Sequence, residues 1–229
     1  MTPEQKMEAA IQQTLQSISQ NATLQQGALK SGYLYTAYIS TLLAETGVNL
    51  GLNFHSQNTS RGAFQFPTKP REVYDGAPSY FELTNWKGTW ELHACCRAEG
   101  VSGFDHELDI LILEKQTADH CRHHSTRPQA HEVLFLAECK NSGTVSYSVG
   151  REFIGVCFEF PLPPLRWRGE DGLGALVGTL SNPNSSQRAF DLVQARKKLI
   201  GAAFVEPNHP HRVQNFCSRV QTVLQPQLT

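Results

Sequence analysis

Two apolar segments that carry acidic residues constrain the fold of this 229-residue chain more than any other feature. HELDILILE at 106–114 and HEVLFLAECK at 131–140 have the composition of buried β-strands. A third segment, TWELHACCR at 89–97, is joined to the first of them by the turn-forming EGVSGF at 99–104, which predicts a hairpin. Burying charge in such strands costs several kcal/mol unless the charges pair or bind a metal ion. These acids therefore need an explanation.

Side-chain alternation places the acids of the first segment. Successive side chains of a strand point to opposite faces, so Glu107 and Asp109 are expected to share one face. Leu108 and Ile110 are then expected on the other face. The pattern predicts an acidic face on a strand that is otherwise apolar.

The second segment repeats this arrangement with a basic residue. Glu138 and Lys140 are predicted to share one face, and Ala137 and Cys139 the opposite one. A buried salt bridge from Lys140 to Glu138 or to Asp109 explains the pattern structurally. A metal-binding catalytic site explains it as well, and the Asp on the neighbouring strand favours that second interpretation.

The remaining chain predicts helices on either side of a sheet. Residues 50–79 are interpreted mostly as loop, and residues 117–131 as a polar loop. Helical spacing covers 3–26, 31–45, 146–158, 185–204 and 210–224, and further strands are expected at 80–86 and 173–180. The order helix, three strands, helix, strand, helix predicts an α/β sandwich around a mixed sheet.

At this point the chain resembles a family. Asp109, about thirty residues before Glu138-Cys139-Lys140, resembles the signature of PD-(D/E)xK nucleases. VSGFDHELD at 101–109 and REFIGV at 151–156 resemble segments of Mrr-type restriction endonucleases. GALVGTLSNPNSSQRAFDLVQA, from residue 174 onward, resembles the next strand and helix of those proteins.

The resemblance implies a restriction-endonuclease-like α-β-β-β-α-β core with a mixed central sheet flanked by helices. The division that follows is an N-terminal helical extension at 1–28, the nuclease-like domain at 29–206 and a C-terminal helix at 207–229. The activity implied is metal-dependent hydrolysis of DNA phosphodiester bonds by an endonuclease, in restriction or another form of host defence.

The resemblance also implies roles for individual residues. Asp109 and Glu138 would hold Mg²⁺, for which Mn²⁺ can substitute, and the backbone carbonyl of Cys139 would add a third oxygen ligand. Lys140 would orient the attacking water, lower its pKa and neutralise part of the phosphate charge.

One departure from the family concerns a third acidic ligand. Many relatives carry a Glu on the first helix, where this chain has Tyr35 and Thr36 in the stretch GYLYTAYISTLL. Glu45 follows two turns later, and Glu107 shares a predicted face with Asp109. The third ligand is left open between these two glutamates.

Composition limits the partners. Residues 1–114 hold 7 basic and 12 acidic side chains, whereas residues 115–229 hold 13 and 9. The net charge of −1 argues against tight non-specific DNA binding by one monomer, so a homodimer or a larger complex is expected, with RNA an open alternative to DNA. Six Cys without a CxxC pair, and no apolar run of transmembrane length, predict a reduced cytoplasmic protein without membrane contact.

Other classes of function stay open. The missing helix Glu supports a catalytically inactive module that binds nucleic acid or an effector complex. The Gln-rich first helix and the net charge of −1 suit a nuclease that needs a partner for activation. A zinc site built from His120, Cys121, His123, His124 and His131 is disfavoured, because their spacing matches no closed zinc pattern.

Overall fold

The structure is a computed structural model of the whole chain. It describes residues 1–18, 23–24, 31–57, 63–75, 79–141, 145–160, 173–179, 183–196 and 199–228. The last part of the helix predicted over 3–26 lies outside these residues, apart from Thr23 and Leu24.

Six helices and nine strands make up the described part. The helices are α1 (Pro3–Ile18), α2 (Ser31–Asn49), α3 (Lys115–His124), α4 (Tyr147–Glu159), α5 (Pro183–Gln194) and α6 (Pro210–Leu228). The strands are β1 (Thr23–Leu24), β2 (Asn53–Gln57), β3 (Ala63–Phe64), β4 (Tyr80–Thr84), β5 (Thr89–Glu99), β6 (Asp105–Glu114), β7 (Val133–Lys140), β8 (Gly174–Gly178) and β9 (Leu199–Ala203).

A mixed seven-stranded sheet forms the centre, in the order β2-β4-β5-β6-β7-β8-β9. The strands from β2 to β7 pair antiparallel, and β7, β8 and β9 pair parallel. The short strands β1 and β3 form a separate parallel pair. The carboxyl ends of β7, β8 and β9 therefore lie at one edge of the sheet, where α/β proteins place ligand sites.

Helices cover both faces of the sheet. On one face, α2 and α6 pack on the strands and α1 packs on α2, and the residues buried there include Ile11, Ile39 and Phe216. On the other face, α3, α4 and α5 bury residues such as Cys121 and Phe153. The structure thus confirms the predicted α/β class with a mixed sheet flanked by helices.

Residues 117–131 do not form the polar loop that the sequence predicted. They contain most of α3 and a short 3₁₀ turn, Ala130–Glu132. Only Ala118 and Cys121 are buried in α3, and Ser125 ends it in the left-handed conformation. Two small buried residues three positions apart give too weak an apolar stripe to predict a helix.

The helix predicted at 185–204 is also wrong in its second half. Helix α5 ends at Gln194, and residues 199–203 form the strand β9 beside β8. A Cβ atom at Gly201 would lie 2.2 Å from the carbonyl oxygen of Phe190. The glycine is thus required for the close approach of α5 to β9, and it interrupts the apolar pattern of that strand.

Two further boundaries differ from the predictions. Strand β2 lies in the segment interpreted as loop, because its largely polar sequence NFHSQ suits an edge strand that pairs only with β4. Helix α6 continues to Leu228, four residues beyond its predicted end. Within the described residues, none of the helices is both long and apolar enough to cross a membrane.

Candidate functional site

A bend in the β5–β6 hairpin creates the candidate site. Cys95 in β5 adopts a φ of +52°, which a residue with a Cβ atom rarely takes. Ala94 still pairs with Ile110, and Cys96 with Leu108, so the bend lies between these two pairs, beside Asp109. Backbone strain of this kind is found preferentially where a structure positions functional groups.

The bend breaks the side-chain alternation that the sequence predicted for β6. Leu108 and Ile110 were expected on the same face. The structure instead packs Ile110 against the α1–α2–α6 side of the sheet and Leu108 against the α3–α4–α5 side. The prediction was wrong because a strand bend next to Asp109 changes the face to which the following side chains point.

Beyond the bend, β6 separates from β7. The ladder between them runs from the pair Leu113–Val133 to the pair Ile110–Ala137 and goes no further. The Cys139 N–H then lacks a backbone acceptor on β6, and it donates instead to Oδ2 of Asp109 at 2.7 Å. A carboxylate side chain therefore takes the place of a missing ladder bond.

The backbone carbonyl of Cys139 faces the same gap. The Lys140 carbonyl accepts from Thr179 N–H at 3.1 Å, so the backbone groups of Lys140 face β8. Neighbouring residues of a strand present their backbone groups to opposite sides, and those of Cys139 therefore face β6 and Asp109.

Asp109 lies in an environment that disfavours its charge. Burial and the nearby Glu138 carboxylate raise its pKa from 3.8 to about 7, although the Cys139 N–H and Lys140 oppose this shift. Glu107 adds a smaller effect in the same direction. Asp109, Glu138 and Lys140 are therefore close enough to interact electrostatically, as the sequence predicted.

Glu138 and Lys140 form an ion pair along one face of β7. Their side chains are 26% and 35% exposed, so both can reach a ligand from solvent. Burial lowers the pKa of Lys140, but Glu138 and Asp109 raise it more, and the net pKa lies above its ordinary value. Lys140 is thus a cation at neutral pH and not a general base.

Two adjacent cavities meet at this bend. One, of about 290 Å³, is lined by Tyr33 and Thr36 of α2 together with Cys95, Asp109 and Cys139. The other, of about 170 Å³, lies against α4 and contains Glu138, Lys140 and Glu152. Glu107 and Leu108 line both cavities and form the wall between them.

The two candidates for a third acidic ligand separate clearly. Glu107 lies beside Asp109 and accepts a hydrogen bond from Arg97 Nη2 at 2.8 Å. Glu45 lies instead near Tyr38 and near Cys217 of α6, where burial raises its pKa. Of the two, only Glu107 lines a cavity with Asp109.

Several lining residues escaped prediction from the sequence, among them Tyr33, Pro70, Cys95 and Glu152. Only Glu152 had a recognisable signal, since it shares a cavity-lining face of α4 with Val149, Phe153 and Val156. Tyr33 on α2, Pro70 on a loop and Cys95 at the bend of β5 come close to Asp109 only through tertiary packing, which no local pattern reports.

The structure separates the buried thiol of Cys121 from the histidines that were considered for a zinc site. In α3, His120, His123 and His124 are exposed, whereas Cys121 is buried in the core on the opposite side. His131 is exposed on the 3₁₀ turn. The buried thiol therefore cannot join the histidines in binding one ion.

The donor set at the bend fits a hard cation in part. Across the described ranges, no group of three or more His, Cys, Asp or Glu side chains converges on one metal position. Two carboxylates and one carbonyl nevertheless match Mg²⁺, which binds through oxygen and keeps several waters. Burial and the Glu138 carboxylate raise the pKa of Asp109 although Lys140 lies nearby, so a cation bound beside Asp109 would favour its ionised form. Asp109, Glu138 and the Cys139 carbonyl would hold such an ion.

Comparison of the chain with family models, with curated proteins and with solved structures gives no match. The residues around Asp109 and their geometry are therefore the basis for inferring the function of the chain.

Proposed function

We propose that the chain is a metal-dependent nuclease that hydrolyses DNA phosphodiester bonds. The observation that carries the proposal is the convergence of Asp109, Glu138 and Lys140 at a gap between two strands. A carboxylate pair with an adjacent ammonium group matches the needs of phosphodiester hydrolysis, which are cation binding, water activation and charge neutralisation.

The order of elements supports the proposal. Along the chain, α2 is followed by β2, β3 and β4, then by the antiparallel strands β5, β6 and β7, with α3 between β6 and β7, and then by α4 and by β8 parallel to β7. When β2, β3, β4 and α3 are treated as additions, the remaining elements follow the α-β-β-β-α-β order that the resemblance to PD-(D/E)xK nucleases implies. Strands β2, β4 and β9 then extend the sheet at its two edges.

Each residue has a chemical role in this proposal. Asp109 and Glu138 would bind Mg²⁺ or Mn²⁺, with the Cys139 carbonyl as a further ligand. The bound ion would supply positive charge to the scissile phosphate and acidify the attacking water. The Lys140 ammonium would orient that water and contribute charge beside the phosphate. Burial raises the pKa of the Cys139 thiol, so its sulfur stays protonated and takes no part.

The charge around the site supports a requirement for the metal ion. Glu107, Asp109, Glu138 and Glu152 line the two cavities, and Lys140 is the one basic residue among the lining residues in the described part of the chain. A phosphate would be repelled from this surface until a divalent cation neutralised it. A homodimer or a larger complex would supply the additional positive surface that duplex DNA requires.

Supercoiled plasmid provides the test. The protein is incubated with plasmid and Mg²⁺ or Mn²⁺, beside an EDTA control and the Lys140→Ala variant. We expect nicking or linearisation that is lost in both controls, with the fold of the variant intact by circular dichroism. Lys115→Ala is the matched control, because Lys115 is similarly exposed (38%) and also pairs with a glutamate, away from the site. Full cleavage by Lys140→Ala would refute the assignment.

A second candidate function is a nuclease-fold module that lacks activity or gains it only with a partner. The absence of a third converging side-chain ligand within the described residues favours it. Calorimetric titration with Mn²⁺ separates the cases. Metal binding without cleavage indicates a missing activator or substrate, whereas no metal binding at Asp109 indicates a binding module.

A further inference from the structure

The strained backbone at Cys95 is held from outside the hairpin. Strand β5 pairs with β4 only as far as Leu92, and beyond that point the segment around Arg71 takes the place of β4. Arg71 N–H donates to the Cys95 carbonyl at 2.8 Å, and the Arg71 carbonyl accepts from Arg97 N–H at 3.0 Å. These two bonds hold the backbone from the Cys95 carbonyl to the Arg97 N–H, directly after the positive φ of Cys95.

The guanidinium of Arg71 fixes this segment to the sheet. The residue is only 4% exposed, and its Nη2 donates to Nδ1 of His93 at 3.0 Å. Its Nη1 lies 3.4 Å from the Asp75 carbonyl and 3.5 Å from that of Glu72. His93 Nε2 in turn donates to Glu91 at 2.8 Å, since Nδ1 accepts from the arginine. One side chain thus joins the 70–75 turn to the core of β5.

This anchor lies immediately behind the candidate site. Pro70, next to Arg71, lines the larger cavity together with Cys95 and Asp109. If the anchor is released, Cys95 is free to relax from its φ of +52° to an ordinary extended conformation. The strand β6 would then straighten toward β7, and the gap that Asp109 fills at Cys139 N–H would close.

We propose that Arg71 is a positioning residue that holds the Cys95 bend and thereby sets the Asp109 carboxylate against Cys139. It touches neither the metal ion nor the substrate. The expected effect on metal binding rests on the proposed function. The effect on the position of Asp109 can be measured whether or not the chain binds a metal ion.

The test compares two arginine-to-lysine variants. Arg71→Lys keeps the charge and removes the fork that reaches both His93 and the turn. Arg219→Lys is the matched control, because Arg219 is partly buried on α6 and donates from Nη1 to the Gly201 carbonyl at 3.0 Å, on another strand. The readouts are hydrogen exchange of the Cys139 amide and the dissociation constant for Mn²⁺, measured with thermal unfolding on the same samples.

For Arg71→Lys we expect about tenfold faster exchange of the Cys139 amide and about tenfold weaker Mn²⁺ binding. Arg219→Lys should change neither. If Arg71→Lys does not fold, His93→Gln removes the same bond from the other side and is judged by the same criteria. Unchanged exchange at Cys139, or equal acceleration in Arg219→Lys, would overturn the inference. Should the wild type bind no Mn²⁺, the metal assignment fails and the exchange comparison still decides the role of Arg71.

Discussion

Two carboxylates of the sheet, the buried Glu91 on β5 and the half-buried Asp109 on β6, have different surroundings. Glu91 is completely buried, and Arg122 donates to both of its oxygens at 2.7 and 2.8 Å. His93 and Lys115 also donate hydrogen bonds to the Glu91 carboxylate. Burial raises the pKa of Glu91, but the hydrogen bonds from His93 and Arg122 outweigh burial and hold it at about 2.

Asp109 has much weaker compensation, from the Cys139 N–H and from Lys140. It receives one backbone hydrogen bond, faces the like charge of Glu138, and has a pKa of about 7. The fold thus shows at Glu91 how a buried acid is stabilised within the protein. At Asp109 that stabilisation is incomplete, which is typical of functional sites. We interpret Glu91 as structural and Asp109 as prepared for a cation.

The largest loss of stability is expected from substitution of Glu91. Glu91→Gln leaves the charges of Arg122 and Lys115 without their buried partner, and we expect the free energy of unfolding to fall by about 3 kcal/mol. Urea denaturation at pH 7 measures the loss. Asp119→Asn is the control, since Asp119 contacts the same Arg122 from a position that is 53% exposed. A loss as small as that control's would show that Glu91 is not the anchor of the network.

At Asp109, replacing the carboxylate with an amide should raise the free energy of unfolding, whereas at Glu91 it should lower it. Asp109→Asn removes a destabilising charge while its amide oxygen can still accept from Cys139 N–H. Without divalent metal at pH 8, we expect stability to rise by about 2 kcal/mol. Urea denaturation in EDTA measures the change, and Mn²⁺ should then stabilise the wild type but not the variant. Destabilisation in EDTA would mean that the Asp109 carboxylate serves the fold.

The two carboxylates should also change the stability of the fold in opposite directions as the pH rises. The folded chain keeps Asp109 protonated up to a pKa of about 7 against 3.8, so this residue's contribution to stability falls as pH rises through that window. Glu91 has a folded pKa of about 2 against 4.5, so its contribution is present above pH 4.5 and is lost as pH falls toward 2.

Metal binding should follow the titration of Asp109 directly. Because the ion displaces a proton, the Mn²⁺ association constant is expected to rise about tenfold per pH unit below pH 7 and to level off above it. Isothermal titration calorimetry between pH 5.5 and pH 8.5 would show the break at about 7. An affinity independent of pH would place the ion elsewhere.

Features of the site that follow from local sequence patterns could be predicted, whereas those that depend on tertiary contacts could not. Asp109, Glu138 and Lys140 lie just past the end of the pairing between β6 and β7, and the spacing of acids in the two apolar strands was enough to predict that they lie close together. The bend at Cys95 was not predictable, because it depends on Arg71 and His93, which lie 22 residues apart and pair only in the folded chain. The missed strand β9 and helix α3 likewise have weak local patterns, and tertiary packing decides their structure.

The smallest expected effect distinguishes the two glutamates proposed as a third ligand. Glu107 is 57% exposed, faces Asp109 and is held by Arg97, whereas Glu45 lies near α6. Glu107→Gln should weaken Mn²⁺ binding by about threefold, the effect of removing one screened carboxylate near the ion. Glu45→Gln should leave the affinity unchanged, because its carboxyl group lies outside the cavities that contain Asp109 and Glu138. Calorimetry on both variants at pH 8 makes the comparison at a pH where Asp109 is already ionised. Weaker binding in Glu45→Gln alone would require α2 to supply the ligand, and the gap between β6 and β7 would then not be the complete metal site.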